Sequence, residues 1–170
     1  MAKPGLSEHK NVNKMMSEQE ALNRLTALCS QAEHCSYEMA EKMRKWEVEE
    51  PAQARVMEYL IREKYVDDSR YARCFAMDKI RYNKWGRRKV EQALWMKHID
   101  RNIMREVLDD IDEDEYIQVL RPLLKAKLKS IQAKNDYERN MKLLRFAMGR
   151  GFSFEQVKKA VDMDIDKEDI

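Results

Sequence analysis

The chain has 170 residues, 33 of them Lys or Arg and 31 Asp or Glu, for a formal net charge of +2. No apolar run approaches the roughly 18 residues of a membrane span, and no apolar segment follows Lys3 and Lys10, so neither a membrane anchor nor a secretory signal is expected. With 4 Gly, 3 Pro and 38% charged residues the composition favours helix over sheet, and three cysteines without a CxxC pair fit free thiols in a reducing cytoplasm better than a disulfide framework.

Residues 1–16 are polar, contain Pro4 and Gly5 and lack apolar periodicity, which predicts a mobile tail. Ser17 to Glu20 has the form of a capping box, opening a helix with Leu22, Leu25, Leu28, Cys29 and Ala32 on one face. Ser36 is placed to cap a second helix carrying Met39, Met43 and Trp46. Pro51 suits the first turn of a third, striped by Val56, Met57 and Leu60. Asp67 or Asp68 can cap a fourth, in which Tyr71, Ala72, Phe75 and Ala76 repeat at three and four. Gly86 marks a turn before a helix with Val90, Ala93 and Leu94. Asp100 caps the next, with Ile103, Val107, Leu108 and Ile111. Tyr116, Leu120, Leu123, Leu124 and Leu128 form a longer stripe, interrupted by Pro122, where a kink or break is expected. Asn135 with Glu138 starts a helix bearing Met141, Leu144 and Ala147, which Gly149 and Gly151 end. Ser153 with Gln156 is a second capping box, before Val157, Ala160 and Val161.

These segments align with one another. Val48, Ile99 and Phe152 stand 51 and 53 residues apart, and each follows a polar or glycine-containing turn and precedes a capped helix. Eight and nine positions on lie Val56 and Met57, Val107 and Leu108, and Ala160 and Val161. The fold expected is all-α: tandem three-helix repeats with a period near fifty, over 17–66, 67–112 and 113–165, with short tails at 1–16 and 166–170.

Charge is segregated along the chain. Residues 70–97 hold nine basic side chains and two acidic ones, 100–115 two basic and eight acidic, and 121–150 again nine basic and two acidic. Tyr71, Tyr82, Trp85 and Trp95 interleave the first basic block. Such a block fits nucleic-acid phosphates and bases, an acidic protein groove, or simply a solvated helix face. No P-loop, GxGxxG, HExxH or GxSxG is present, so no catalytic or cofactor site is expected. Cys29, His34 and Cys35 lie close in sequence, but the only other histidines are His9 and His98 and the four-ligand pattern of structural zinc is missing, so ordinary packing is the better reading. The acidic run Asp109 to Glu115 lacks the spacing and central glycine of an EF-hand and reads as a solvated linker between units. The twelve methionines read as core filling, and Trp46 and Trp85 as side chains packed between units.

Three motifs carry a family resemblance. They are Asp67-Asp68-Ser69-Arg70-Tyr71-Ala72; Arg81 followed by Gly86-Arg87-Arg88-Lys89-Val90 and Leu94; and Leu144 to Gly151-Phe152 followed by Ser153 and Val157. In order and separation they resemble the RecX family of RecA regulators, over roughly residues 18–163. The resemblance implies an elongated, curved array of three repeats, monomeric and cytoplasmic, that is not an enzyme and needs no cofactor. Its expected partners are the RecA recombinase and the RecA–DNA filament, with weak direct DNA binding as an addition. The implied activity is inhibition of filament extension, ATP hydrolysis, strand exchange and the co-protease function, and so regulation of recombination, DNA repair and the SOS response. The contact residues expected are Arg70, Arg73, Arg81, Lys84, Arg87, Arg88 and Lys89 in the first basic block and Arg145 and Arg150 in the second, with Arg70 and Arg81 alternatively pairing with Asp67 or Asp68. The competing reading is a stand-alone DNA-binding protein whose units act like helix-turn-helix modules.

Overall fold

The computed structural model describes residues 15–161. Among these residues there are nine helices and no strand: α1 (Glu18–Gln31), α2 (Ser36–Lys45), α3 (Glu50–Arg62), α4 (Asp68–Arg81), α5 (Arg87–Met96), α6 (Arg101–Asp109), α7 (Glu113–Leu128), α8 (Asp136–Gly149) and α9 (Phe154–Ala160). They form three tandem three-helix units. Nearly all of the expected 1–16 tail, the 166–170 tail and positions 162–165 of the third repeat lie outside the described residues.

Local chemistry sets the helix starts. Ser17, Asp67, Asp100, Asn135 and Ser153 each accept a backbone N–H of the following turn, satisfying donors that a helix leaves unpaired. Ser153 and Gln156 close the full capping box. Two expectations need correction. Ser36 does not cap α2: it is the first helical residue, and its N–H and hydroxyl both go to Asp68, at 2.8 and 2.6 Å. Pro122 does not break α7, which runs unbroken from Glu113 to Leu128. The carbonyl that Pro122 leaves without a partner is that of Gln118, on the exposed side where water can serve it, while Tyr116, Ile117, Leu120 and Leu124 are buried on both sides of the proline.

The sequence repeat has a backbone counterpart. Glu47, His98 and Gly151 follow the second helix of their units and carry positive φ values of 55°, 54° and 95°. Each precedes a buried apolar residue (Val48, Ile99 or Phe152) whose N–H bonds back five residues, to Met43, Leu94 and Ala147. This is the Schellman closure: a left-handed residue ends the helix and an apolar residue after it seals the turn.

Two cores result. Ala21, Leu25, Met39, Met43, Val56 and Leu60 belong to a cluster made by α1–α3 and the turns beside them. A larger cluster runs through α4–α9 and takes in Cys35 from unit one; in it α4 packs on α7 and joins Ile80, Leu94 and Leu108 to Leu120, Leu124 and Leu144. Each fully buried leucine contributes about 2–3 kcal/mol of transfer free energy, so units two and three form one body and unit one has a core of its own. Trp46 does not pack between units. It lies on the core of its own unit, with Arg24 over its ring at 5.7 Å. Trp85 lies on the larger core between Lys79 and Lys89, at 5.1 and 4.7 Å.

Candidate partner-binding surface

Much of the first basic block is engaged within the molecule. At the joint between units one and two, Asp67 caps α4 and Asp68 holds Ser36, and neither carboxylate forms a salt bridge with Arg70 or Arg81. Arg70 pairs instead with Glu33 at 2.6 Å and donates to the carbonyls of Lys64 and Tyr65. Glu38 sits at the centre of this joint, accepting from the Tyr71 hydroxyl at 3.0 Å and pairing with His34 and Lys97 at 2.7 and 3.3 Å. Tyr37 stacks on His98 at 4.0 Å, and Cys35 is fully buried in the larger core. Burial pushes the Cys35 thiol up to about 11, leaving it a neutral packing group at physiological pH. His34 is therefore a partner of Glu38. Among the described residues no group of three or more His, Cys, Asp or Glu is placed to hold a metal ion.

Burial opposes the charge on Glu38, but the hydrogen bonds from His34 and Tyr71 and the ammonium of Lys97 outweigh it and hold its pKa below 4.5. A depressed carboxylate stabilises the fold fully above its unfolded pKa and loses that contribution as pH falls through the folded value. Acidification below about pH 4.5 should therefore loosen this joint. Hydrogen exchange of unit one, compared between wild type and Glu38→Gln, should show a smaller acid dependence in the variant. Equal acid dependence in the two proteins would remove Glu38 as the cause.

The second joint is made by backbone. The C-terminal carbonyls of α8 meet the N-terminal amides of α5: Gly86 N–H donates to Arg150 O at 2.8 Å and Arg88 N–H to Gly151 O at 3.2 Å. Orphan donors of one helix thus satisfy orphan acceptors of another. The negative end of α8 also offsets Arg87, Arg88 and Lys89, three cations on a helical first turn that contains no acid. This end of α5 is closed, and is not an open anion cradle.

Salt bridges tie Arg73, Arg81 and Arg87 to the acidic run. Arg73 pairs with Asp110 at 2.7 Å and Arg81 with Glu115 at 2.9 Å, while Arg87 reaches Glu91 at 2.8 Å and Asp109 at 2.6 Å. The run is therefore a counter-charge to the first basic block, beyond the solvated linker expected of it. Lys84 donates to the Arg81 carbonyl and Lys89 lies over Trp85. Arg150 donates to the Asn83 carbonyl at 3.3 Å and covers the Phe146 ring. Of the nine contact residues expected from sequence, only Arg88 and Arg145 are exposed with no ion pair among the described residues. Arg88 is on the first turn of α5 and Arg145 on α8, the helix whose C-terminal end meets that turn.

Two family models match the chain: "RecX, second three-helix domain" at residues 67–108 and "RecX, third three-helix domain" at 113–161. The chain belongs to the RecX family. It is 32% identical over 125 residues to the regulatory protein RecX of Clostridium acetobutylicum, covering 71% of this chain and 57% of that one. It is 26% identical over 137 residues to RecX of Vibrio parahaemolyticus, covering 81% and 86% respectively. The chain thus spans little more than half of the first relative and most of the second. The crystal structure of RecX from Lactobacillus salivarius superposes with a TM-score of 0.79 at 16% identity, over 85% of this chain and 94% of that one, which shows the fold.

The motifs that resemble RecX lie at the joints of this RecX fold. The Asp67–Ala72 motif builds the first joint. Gly86 and the Arg150-Gly151-Phe152 turn, far apart in sequence, meet in the second. The motif arginines thus include several engaged at and beside the joints as well as the exposed Arg88 and Arg145, and the motifs did not point to further exposed groups. Arg121 and Lys125 on α7 and Lys129 at its C-cap, spaced by four, are exposed without an ion pair among the described residues. Trp95 and Met96 are 66% and 67% exposed. Their sequence signal was their position off the Val90–Leu94 stripe of α5, since apolar residues outside a helix's buried face have no core to fill.

Proposed function

We propose that this chain binds RecA and its nucleoprotein filament and restrains filament extension, ATP hydrolysis, strand exchange and the co-protease activity. It would act as a monomeric cytoplasmic regulator of recombination and DNA repair, with no catalytic step of its own. The observation that carries the reading is membership of a family whose curated relatives are named regulatory proteins. A tandem helical array supports it physically, because it offers a long contact surface capable of bridging neighbouring protomers. No described helix is long and apolar enough to cross a membrane.

The test is ATP hydrolysis by the cognate RecA on single-stranded DNA, with this protein titrated in at sub-stoichiometric ratios. Suppression at low ratios is expected, and a folded protein without effect would overturn the reading. The same assay separates the arginines. Arg88→Glu should weaken inhibition by about tenfold, the loss of one charged contact at an interface, with its melting temperature retained. Arg87→Glu should lower the melting temperature first, because it places a carboxylate against Glu91 and Asp109. Unchanged inhibition by Arg88→Glu would exclude this turn of α5 as a contact.

The α7 cations favour a second reading, direct DNA binding. In that case binding without RecA should be tight and fall steeply with salt, and Arg121→Glu with Lys125→Glu should abolish it.

A further inference from the structure

The solvent face of α5 holds an apolar groove beside the core and the first joint. Glu91, Gln92, Trp95, Met96, Ile99, Arg101 and Met104 line a cavity of about 550 Å³ between the end of α5 and the start of α6. A second hollow of about 350 Å³ shares Trp95, Met96 and Ile99 and continues over Tyr37 and His98 onto unit one. Ile99 forms a buried floor, 5% exposed, whereas Trp95 and Met96 stand in solvent. Two adjacent large apolar side chains this exposed are unusual on a charged helical surface, and tryptophan is the residue most enriched among interface hot spots.

Charge selects the occupant. Arg88, Gln92 and Trp95 follow one another at four and three residues and share the face of α5 opposite Val90 and Leu94. Arg101 lies on the other wall of the groove, at the first turn of α6. Both arginines are exposed with no ion pair among the described residues, while Glu91, which also lines the cavity, is held by Arg87. The groove is therefore an apolar slot with the unpaired Arg101 on one wall, Arg88 about two turns along the same face of α5, and Glu91, its one lining carboxylate, already paired with Arg87.

We infer that this groove docks a segment of the protein partner in which apolar side chains are flanked by carboxylates. The apolar residues seat against Trp95 and Met96, and the carboxylates meet Arg88 and Arg101. The inference rests on the filament-binding reading and adds where, and to what chemistry, the contact is made. Because the slot continues onto Tyr37 of unit one, the same occupant would also bridge the joint at Glu38.

The experiment measures binding of the full-length protein to the cognate RecA–single-stranded DNA filament, by anisotropy of a label on the protein. Trp95→Ala should weaken binding by at least about tenfold, the scale of a tryptophan hot spot. Arg101→Glu should weaken it severalfold while preserving or raising stability, since an acid on a first helical turn complements the helix dipole. Ile61→Ala, at an exposed apolar side chain elsewhere, should leave binding unchanged. Binding of Trp95→Ala within twofold of wild type, with its helicity intact, overturns the inference alone. Failure of the wild type to bind overturns the regulator reading and this inference with it. A concentration-dependent dimer of the free protein that Trp95→Ala dissolves would assign the groove to a second copy and overturn the inference as well.

Discussion

Gly86→Ala is expected to cost about 3 kcal/mol and to lower the melting temperature by about 10 °C, more than an ordinary surface substitution in this protein. The added methyl would stand 2.3 Å from the Gly151 carbonyl carbon and the Phe152 nitrogen and 2.4 Å from the Gly151 oxygen. These are backbone atoms, which cannot rotate away as a flexible side chain can. Relief requires withdrawing α5 from α8, and that lengthens the Gly86–Arg150 and Arg88–Gly151 hydrogen bonds joining units two and three. Gly149→Ala supplies the control, because nothing lies within 4 Å of its added methyl and it ends a helix, where alanine is the better residue by up to about 1 kcal/mol. Calorimetry should show the first variant melting earlier and the second at or above wild type. A wild-type melting temperature for Gly86→Ala would show that the backbone approach is not a constraint.

Leu60→Ala should destabilise unit one by about 2–5 kcal/mol and leave units two and three almost unaffected. Leu60 is fully buried, in a cluster containing side chains of α1–α3 and the turns beside them. The first joint is built largely from Glu33–Arg70, Glu38–Tyr71 and Ser36–Asp68. Such partly exposed polar contacts couple neighbouring units less strongly than a shared apolar core. Hydrogen exchange should lose protection over 17–66 while 67–161 keeps it. The mirror variant Leu120→Ala, in the shared cluster, should reduce protection across both remaining units. Loss of protection along the whole chain in Leu60→Ala would mean that the two cores unfold as one.

Sequence reading was strongest where local chemistry decides. Asp67, Asp100, Asn135 and Ser153 cap the helices expected of them, because a cap needs only a side-chain oxygen two or three residues from an unpaired amide. The alignment of Val48, Ile99 and Phe152 holds in three dimensions because each seals the same helix-ending turn. It failed where a distant group competes. Ser36 had the right type and place for a cap, yet Asp68, 32 residues away, takes both its donors. Pro122 had the right type for a break, yet burial of four side chains around it outweighs the hydrogen bond it removes.

The candidate surface was the least legible part. A lone arginine in sequence gives no sign of whether it faces a carboxylate from another helix, and Glu33, Asp110, Glu115 and Asp109 lie 22 to 37 residues from the arginines they neutralise. The sequence by itself determined the helices, their caps, the fifty-residue repeat and the family, because these depend on periodicity and short-range hydrogen bonding. Only the tertiary structure decided which charges remain free, that Gly86 and Gly151 meet, and that Trp95 and Met96 stand outside both cores. Those outcomes depend on which helix faces come together, and ion pairing and burial fall off within a few ångströms however far apart the residues lie in the chain.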